Sequence, residues 1–267
     1  MALGLIVCGV GGRMGGAVVR AVQQTAGVEI AAAIDKPGSA RLGQDAGEIS
    51  AAGRLGTIVS DKIELFQKPN TVIIDFTNPE ASLSYLRAAL KKATPIVIAT
   101  TGFTPRQVAE IKRLSRGVPT LLSANTSLGV NVLVSLLGKA AKMLGDDYDV
   151  EIIEAHHRFK KDAPSGTALA LGRSVADALN RDLEKVVING RKGIVGARGK
   201  KEIAMLSVRA GDIVGEHTVI FGGIGERLEF IHRAHSRDTF AHGAIRAAQW
   251  LAKRNPGLYS MQDVLGL

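Results

Sequence analysis

The chain has 267 residues, 46% hydrophobic and 22% charged, which suits one or two globular domains with a sizeable core. A single cysteine, Cys8, excludes an internal disulfide and fits a reducing cytosol, so a cytoplasmic protein is expected. The net charge of +9 invites a nucleic-acid reading, but aromatics make up only 4% and neither an arginine-aromatic platform nor a zinc knuckle accompanies the charge. No nucleic-acid partner is expected. No membrane partner is expected either, because no apolar run approaches the roughly 20 residues of a membrane span.

The chain opens with Leu3 to Val10, a buried strand rather than a signal peptide, since no basic leader precedes it. Gly9-Val10-Gly11-Gly12-Arg13-Met14-Gly15-Gly16 follows, and then Met14, Ala17, Val18, Ala21 and Val22 recur at helical spacing. Val28 to Ile34 is a second apolar run, closed by Asp35. Strand, glycine turn, helix, strand and acid form the dinucleotide-binding fingerprint. The strict G-x-G-x-x-G is broken by Met14 in its third position, and what stands is Gly9-x-x-Gly12-x-x-Gly15. Asp35 suits a ribose hydroxyl and favours NADH, whereas Lys36 suits a 2′-phosphate and favours NADPH, so both stay open.

Residues 37–60 are rich in glycine and serine, with 57–60 as a short edge strand. Thr71 to Phe76, Pro95 to Thr100 and Val118 to Ser123 read as buried strands. Between them lie two helix starts, Asn78 with Pro79, and the capping-box pattern Thr104-Pro-Arg-Gln107. Strands alternating with helices predict an α/β, Rossmann-like, doubly wound parallel sheet. Ligands of such sheets sit at the carboxyl ends of the strands. The candidate cofactor contacts there are Gly9, Val10, Gly11, Gly12, Arg13 and Met14; Asp35 and Lys36; Ala99, Thr100 and Thr101; and Ser123, Ala124, Asn125 and Thr126.

Ser127 to Leu144 is a long apolar helix leading into a second domain. Beyond it, strands are expected at Val150–Ala155, Val186–Asn189, Ile203–Arg209, His217–Gly222 and Arg227–His232, with one helix at Thr167–Asn180. That is a smaller α+β domain with a mixed open sheet, one face under the helix and the other free for a symmetry mate. Within it, the basic stretch Arg191-Lys192 and Arg198-Gly-Lys-Lys201 reads as a solvated loop or as a field attracting a small polyanion. Arg237 to Arg254 is a final helix returning to the first domain. The expected division is 1–126 with 235–267 for the dinucleotide, and 127–234 for substrate binding and oligomerisation.

The densest chemistry lies in Glu151-Ile-Ile-Glu-Ala-His-His-Arg-Phe-Lys-Lys-Asp-Ala-Pro-Ser-Gly-Thr-Ala168. A strand runs to Ala155, a turn spans 162–166, and a helix starts at Thr167, with Pro164 where a missing N–H costs little. Free amides of Ser165, Gly166 and Thr167 at the positive end of that helix would bind a carboxylate or phosphate. His156 and His157, adjacent on a strand, point to opposite faces. An imidazole titrates near neutral pH and suits general acid work, and Lys160 adds a cation. A His-His pair also fits plain buried or surface structure. No metal is expected, because Cys8 is far away in sequence and no helical His-x-x-x-His occurs.

The stretch Glu154 to Ala168 closely resembles the signature of bacterial dihydrodipicolinate reductases. Gly12-Arg-Met-Gly15, Asp75-Phe-Thr77, Thr100-Thr-Gly-Phe103, Ser127-Leu-Gly-Val-Asn131, Gly211-Asp-Ile-Val-Gly-Glu-His-Thr218 and Gly225-Glu-Arg227 match in the same order. The resemblance implies an NADH- or NADPH-dependent reductase of diaminopimelate and lysine biosynthesis. Its substrate would be a small cyclic dicarboxylate, 4-hydroxy-tetrahydrodipicolinate, reduced to tetrahydrodipicolinate. It implies a cytoplasmic homotetramer built through the second domain's sheet. It also implies His156 as proton donor with Lys160 as its partner, and His157, Gly166 and Thr167 as substrate contacts beside Ser165. The two domains would close about hinges near 126–127 and 234–236. Thr126, Phe159 and His235 depart from the family's usual residues, and Thr126 bears on cofactor preference. Two other readings remain. One is a dehydrogenase of another small anion, such as an amino acid. The other is a nucleotide sensor, which has no need of a His-Lys-anion cluster.

Overall fold

The fold was established from a computed structural model that describes residues 1–66 and 68–267. Contacts divide the chain into two compact units, Met1–Leu128 with Arg237–Leu267, and Gly129–Ser236.

The first unit starts with β1 (Leu3–Cys8), buried at every residue. A strand flanked on both sides and covered on both faces has no use for polar alternation, which is why Leu-Gly-Leu-Ile-Val-Cys is apolar throughout. Next come α1 (Arg13–Gln23), β2 (Val28–Ile34), the one-turn α2 (Ala46–Ile49) and β3 (Val59–Ser60). The glycine-rich stretch thus holds a helix that its composition hides. Asp45 caps α2, its carboxylate accepting from Gly47 N at 2.9 Å and Gly56 N at 2.6 Å. Then follow β4 (Thr71–Asp75), α3 (Pro79–Lys92), β5 (Ile96–Ile98), α4 (Pro105–Leu114) and β6 (Pro119–Leu122). Asn78 caps α3 through Ala81 N at 3.1 Å, and Thr104 with Gln107 closes a full capping box on α4.

The chain then enters the second unit with α5 (Leu128–Leu144), β7 (Asp149–His156), α6 (Gly166–Ala178), the short α7 (Leu183–Val186) and β8 (Val187–Ile188). The expected strand Val186–Asn189 is thus only two residues long, because the turn of α7 takes Val186. β9 (Ile203–Arg209), β10 (Gly215–Gly222) and β11 (Arg227–Ala234) complete this unit. The return to the first unit brings α8 (Asp238–Leu251), β12 (Gly257–Tyr259) and α9 (Met261–Leu265). The helix expected to reach Arg254 ends at Leu251, and the last two elements follow beyond it.

The first sheet is seven strands, β12-β6-β5-β4-β1-β2-β3, all parallel. Strand order reverses at β1, the switch point where ligands of doubly wound sheets bind. One core cluster joins β1, β4 and α1 to Ala244, Ile245, Ala248 and Leu251 of α8. A second packs Leu83, Leu86 and Ile111 of α3 and α4 on the opposite face, and a third, smaller one joins Val10, Val19, Ala33, Ala46 and Val59.

The second sheet is β11-β10-β7-β9-β8 and is mixed: β7 pairs parallel with β9 and antiparallel with β10. Along β7, Val150, Ile152, Glu154 and His156 face inward, alternating with more open residues. The inward side packs against Leu133, Leu137 and Ala141 of α5 and Leu171 and Val175 of α6. One helix, Leu128–Asp147, is long and apolar enough to cross a membrane by length and composition, contrary to the expectation that no run came close. Its Leu133, Leu137 and Ala141 serve this core, whereas Val132, Leu136 and Met143 are exposed. The basic stretch is tied down rather than simply solvated. Arg191 binds both oxygens of Glu151 at 3.0 Å and Glu202 at 2.9 Å, and Arg198 binds Asp149 at 2.7 Å and Glu151 at 3.0 Å.

Candidate active site

In the first unit the glycine turn closes over the end of β1. Gly9 sits at φ +73°, in the left-handed region, and its N–H donates to Ile34 O at 2.8 Å. The first intrahelical bond of α1 runs from Gly16 N to Gly12 O at 3.0 Å, so the amides of Arg13, Met14 and Gly15 stand at an open helix start. Gly12 supplies no side-chain cap, and the first turn holds no acid. An eleven-residue helix whose amino end has no side-chain cap and no acid, and carries Arg13, fits a pyrophosphate.

The broken glycine pattern is resolved by Gly15. A Cβ there would overlap Gly9 O and lie 2.6 Å from Val10 Cα, so Gly15 is the residue that lets helix and strand pack closely. Met14 is thereby released to line a cavity of about 240 Å³ with Phe76, Ala99, Asn125, Thr126 and Phe240. A larger hollow of about 490 Å³, lined by Met1, Glu29, Phe66 and Asn70, has no such helix start beside it.

The other predicted contacts divide by what their side chains already do. Val10 is 1% exposed and belongs to the core, so only its backbone is available. Asp35 accepts from Lys36 N at 2.8 Å and from Ser39 Oγ at 3.0 Å. A Cβ on Gly11 would lie 2.5 Å from the Asp35 carboxylate, so the missing side chain keeps this corner open. Thr100 donates to Asp75 at 3.2 Å, Thr126 to Phe240 O at 2.7 Å and Ser123 to Asn125 O at 2.7 Å. Their hydroxyls shape the loops. Thr101 and Ala124 are exposed beside them. Asp75, missed as a site residue, is fully buried and also accepts from Thr77 N at 3.0 Å and from the Ser82 hydroxyl. Burial pushes its carboxyl up, and these hydrogen bonds oppose the rise.

In the second unit the centre is Glu154, 0% exposed on the inward face of β7. Arg209 at the end of β9 grips it with two bonds of 2.8 Å, Ser165 N donates at 3.2 Å, and His156 Nδ1 lies 2.6 Å from Oε2. Burial alone would raise the carboxyl. The hydrogen bonds from Arg209, Ser207 and His156 outweigh it and hold Glu154 down to about 2. His156 is lowered by burial, with Glu154 pulling the other way and Lys160 and Arg209 adding to the fall.

His217, directly opposite Glu154 in register, stands edge-on to the His156 ring with centroids 5.2 Å apart. Its Nε2 lies 3.1 Å from Ser165 Oγ. Burial, with His156 and His232 nearby, lowers it to about 3, so it is neutral.

The α6 start differs from the expectation in two ways. Ser165 is the cap: its Oγ accepts from Ala168 N at 3.1 Å, and its own N–H is spent on Glu154. Helical residues begin at Gly166, and Pro164 lies before the cap, outside the helix. Gly166 opens the helix, and a Cβ on it would meet nothing within 4 Å. Lys160 pairs with the exposed Asp162 at 3.0 Å. His157 is half-buried, its ring 6.3 Å from that of Phe159. Among the described residues no group of three or more His, Cys, Asp or Glu is arranged to hold a metal.

Glu154, Arg209 and His217 were not singled out from the sequence. Glu154 carried a signal, because two residues before His156 on a strand means the same face. Arg209 and His217 lie 55 and 63 positions after Glu154, and only strand pairing brings them in.

Comparison with known proteins agrees with this geometry. Residues 3–126 match the family model described as the N-terminus of dihydrodipicolinate reductase, and residues 129–265 match its C-terminus. A relative from Syntrophus aciditrophicus (strain SB), a 4-hydroxy-tetrahydrodipicolinate reductase, is 50% identical over 98% of this chain and 97% of its own. One of the same name from Geobacter sulfurreducens is 51% identical over 98% of both. Among solved structures, the dipicolinate-bound dihydrodipicolinate reductase from Paenisporosarcina sp. TG-14 shares the fold, with a TM-score of 0.72 at 23% identity over 98% of this chain and 99% of that one. GenD2 in complex with NAD shares it more distantly, with a TM-score of 0.60 at 13% identity over 99% and 90%. Both halves of the molecule, each matched by its own family model and nearly end to end by relatives at half identity, place this chain in the dihydrodipicolinate reductase family.

Proposed function

We propose that the protein reduces 4-hydroxy-tetrahydrodipicolinate to tetrahydrodipicolinate, a step of diaminopimelate and lysine biosynthesis, using NADH or NADPH. The observation that carries this reading is one short segment of the second unit. It holds an imidazole on a buried carboxylate, a lysine, and the amino end of α6. A cyclic dicarboxylate that must gain a proton needs those three groups.

One carboxylate of the substrate takes the amides of Gly166 and Thr167. The other replaces Asp162 on Lys160. Two anchors fix the ring's orientation, worth a large part of the barrier in an addition between two bound partners. The nicotinamide cofactor supplies hydride when bound. His156 supplies the proton from Nε2 as the ring becomes electron-rich, and His157 lines the same loop. Overall one hydride and one proton enter and one water leaves.

In the first unit the amides of Arg13 to Gly15 would hold the pyrophosphate, Asp35 would meet the ribose, and the cavity lined by Met14, Ala99 and Thr126 would take the nicotinamide. Lys36 beside Asp35 suits either nucleotide. The open face of the second sheet exposes Val208 and Ile231, which suits burial in a homotetramer of a cytoplasmic enzyme.

The test is turnover of purified protein with enzymatically generated substrate, each nucleotide supplied separately and its oxidation followed by absorbance. Oxidation with this substrate, and none with a panel of amino acids, is expected. No oxidation with either nucleotide would remove the reading.

A further inference from the structure

We infer that Glu154 and Arg209 are positioning residues that set the proton inventory of His156: Glu154 holds the imidazole in the tautomer protonated at Nδ1, and Arg209 holds Glu154. This rests on the reading of His156 as the proton donor and says which nitrogen does the work.

The argument is an account of donors and acceptors. An ionised carboxylate only accepts. Glu154 Oε1 receives Arg209 Nη2 at 2.8 Å and Ser165 N at 3.2 Å, and Oε2 receives Arg209 Nη1 at 2.8 Å. The Ser207 hydroxyl adds a further hydrogen bond, and His156 Nδ1, 2.6 Å from Oε2, must be a donor as well, since the carboxylate offers no proton to it. Nδ1 keeps its proton whether the ring is neutral or charged, and Nε2 is the nitrogen that gains and loses one. A charge-assisted contact of this length also fixes the ring plane.

The other charged or titratable groups around the ring do not compete for Nδ1. His217 from β10 meets the ring edge-on and turns Nε2 to Ser165. Lys160 is paired with Asp162. Arg209 spends a further bond on Asp162 O at 2.6 Å, so one guanidinium holds both the carboxylate and the loop that carries Lys160.

Glu154→Gln keeps the shape and reverses the chemistry. The amide oxygen keeps Arg209 Nη2 and Ser165 N, while the NH₂ gives up the bond from Arg209 Nη1 and faces His156 Nδ1, which must then accept. The neutral ring is forced to carry its proton on Nε2, and the imidazolium loses its counter-ion.

The test has two arms. In the first, the full chain is labelled with ¹⁵N-histidine, and the His156 signals are assigned by difference from His156→Gln. At a pH where the ring is neutral, a protonated Nδ1 and a bare Nε2 are expected, and the opposite tautomer would overturn the proposal. In the second arm, kcat and KM are followed against pH. A general acid is active when protonated, so activity falls as pH rises through its pKa. Glu154→Gln should move that alkaline limb down by about one pH unit and lower kcat roughly tenfold to a hundredfold, with KM and nucleotide affinity within about twofold. Arg209→Lys should move it the same way by less. A folded Glu154→Gln with an unmoved limb and near-normal kcat would also overturn the proposal. Should that variant not fold, the tautomer of the unaltered protein decides. Absence of turnover in the unaltered protein would count against the proposed reaction, and the tautomer is read independently of it.

Discussion

Gly215 lies against the imidazole of His156, so closely that a Cβ at 215 would stand 3.0 Å from Nε2 and 3.4 Å from Cδ2. The backbone at Gly215 is ordinary strand, and alanine is permitted by its dihedrals. Gly215→Ala should therefore fold but displace the ring by a few tenths of an ångström. We expect kcat to fall about tenfold with nucleotide affinity unchanged, as near-attack geometry tolerates little error. Steady-state kinetics beside a nucleotide-binding titration would check it.

Removing the donor itself is more severe. His156→Gln should lose roughly 10²–10⁴-fold in turnover, the usual worth of a general acid, while still binding NADH. Unchanged turnover would take His156 out of the mechanism.

Gly15→Ala is predicted to act on the other unit. Its new Cβ meets backbone, Gly9 O and Val10 Cα, neither of which can swing aside. Helix α1 must shift off β1, costing about 1–3 kcal/mol of stability and most of the nucleotide affinity. Urea unfolding and nucleotide titration measure the two effects.

The basis of cofactor choice can be separated at Lys36. Asp35 is held by Lys36 N and Ser39 Oγ, so its place does not depend on the lysine side chain. Lys36→Ala should raise KM for NADPH about tenfold and leave NADH nearly unaffected, since only the former carries a 2′-phosphate. Equal changes for both nucleotides would show that Lys36 does not read that phosphate.

Acid should weaken the second unit in two stages. His217 is neutral in the fold, with its pKa lowered to about 3 from 6.5. The unfolded chain binds its proton first, so this contribution is complete above pH 6.5 and is lost as pH falls toward 3. Glu154 is lowered to about 2 from 4.5, so its contribution is complete above 4.5 and disappears as pH falls toward 2. Urea midpoints at intervals from pH 7 to about pH 4 should therefore fall steadily, and less steeply in His217→Asn. A flat profile over that range would contradict the neutral His217.

Much of this was legible in the residues. The parallel sheet follows from apolar runs alternating with capped helices, and the caps at Asn78 and Thr104 sit where their side chains required. The His156 loop was conspicuous because its chemistry is local. The partners of Glu154 were not, because Arg209 and His217 come from other strands and no local pattern marks them. The free amide expected at Ser165 failed for the same reason: its acceptor is eleven residues away on a buried strand. The helix at Ala46–Ile49 was obscured by small residues, and the four amides gathered by Asp45 help to hold that loop in shape. The glycine rule, applied strictly, asked for a third glycine at Met14. The packing criterion behind the rule finds it at Gly15.

The first unit is assembled from both ends of the polypeptide: α8 supplies Ala241, Ala244, Ile245, Ala247, Ala248 and Leu251, and α9 supplies Met261 and Val264, to a core whose other buried members are in place by residue 121. During synthesis, the ribosome delivers the whole of the inserted unit before it delivers that helix. The middle of the chain can complete its own fold while the earlier-made sheet still waits, one face covered by α1 but not yet by α8, for the last thirty residues to emerge.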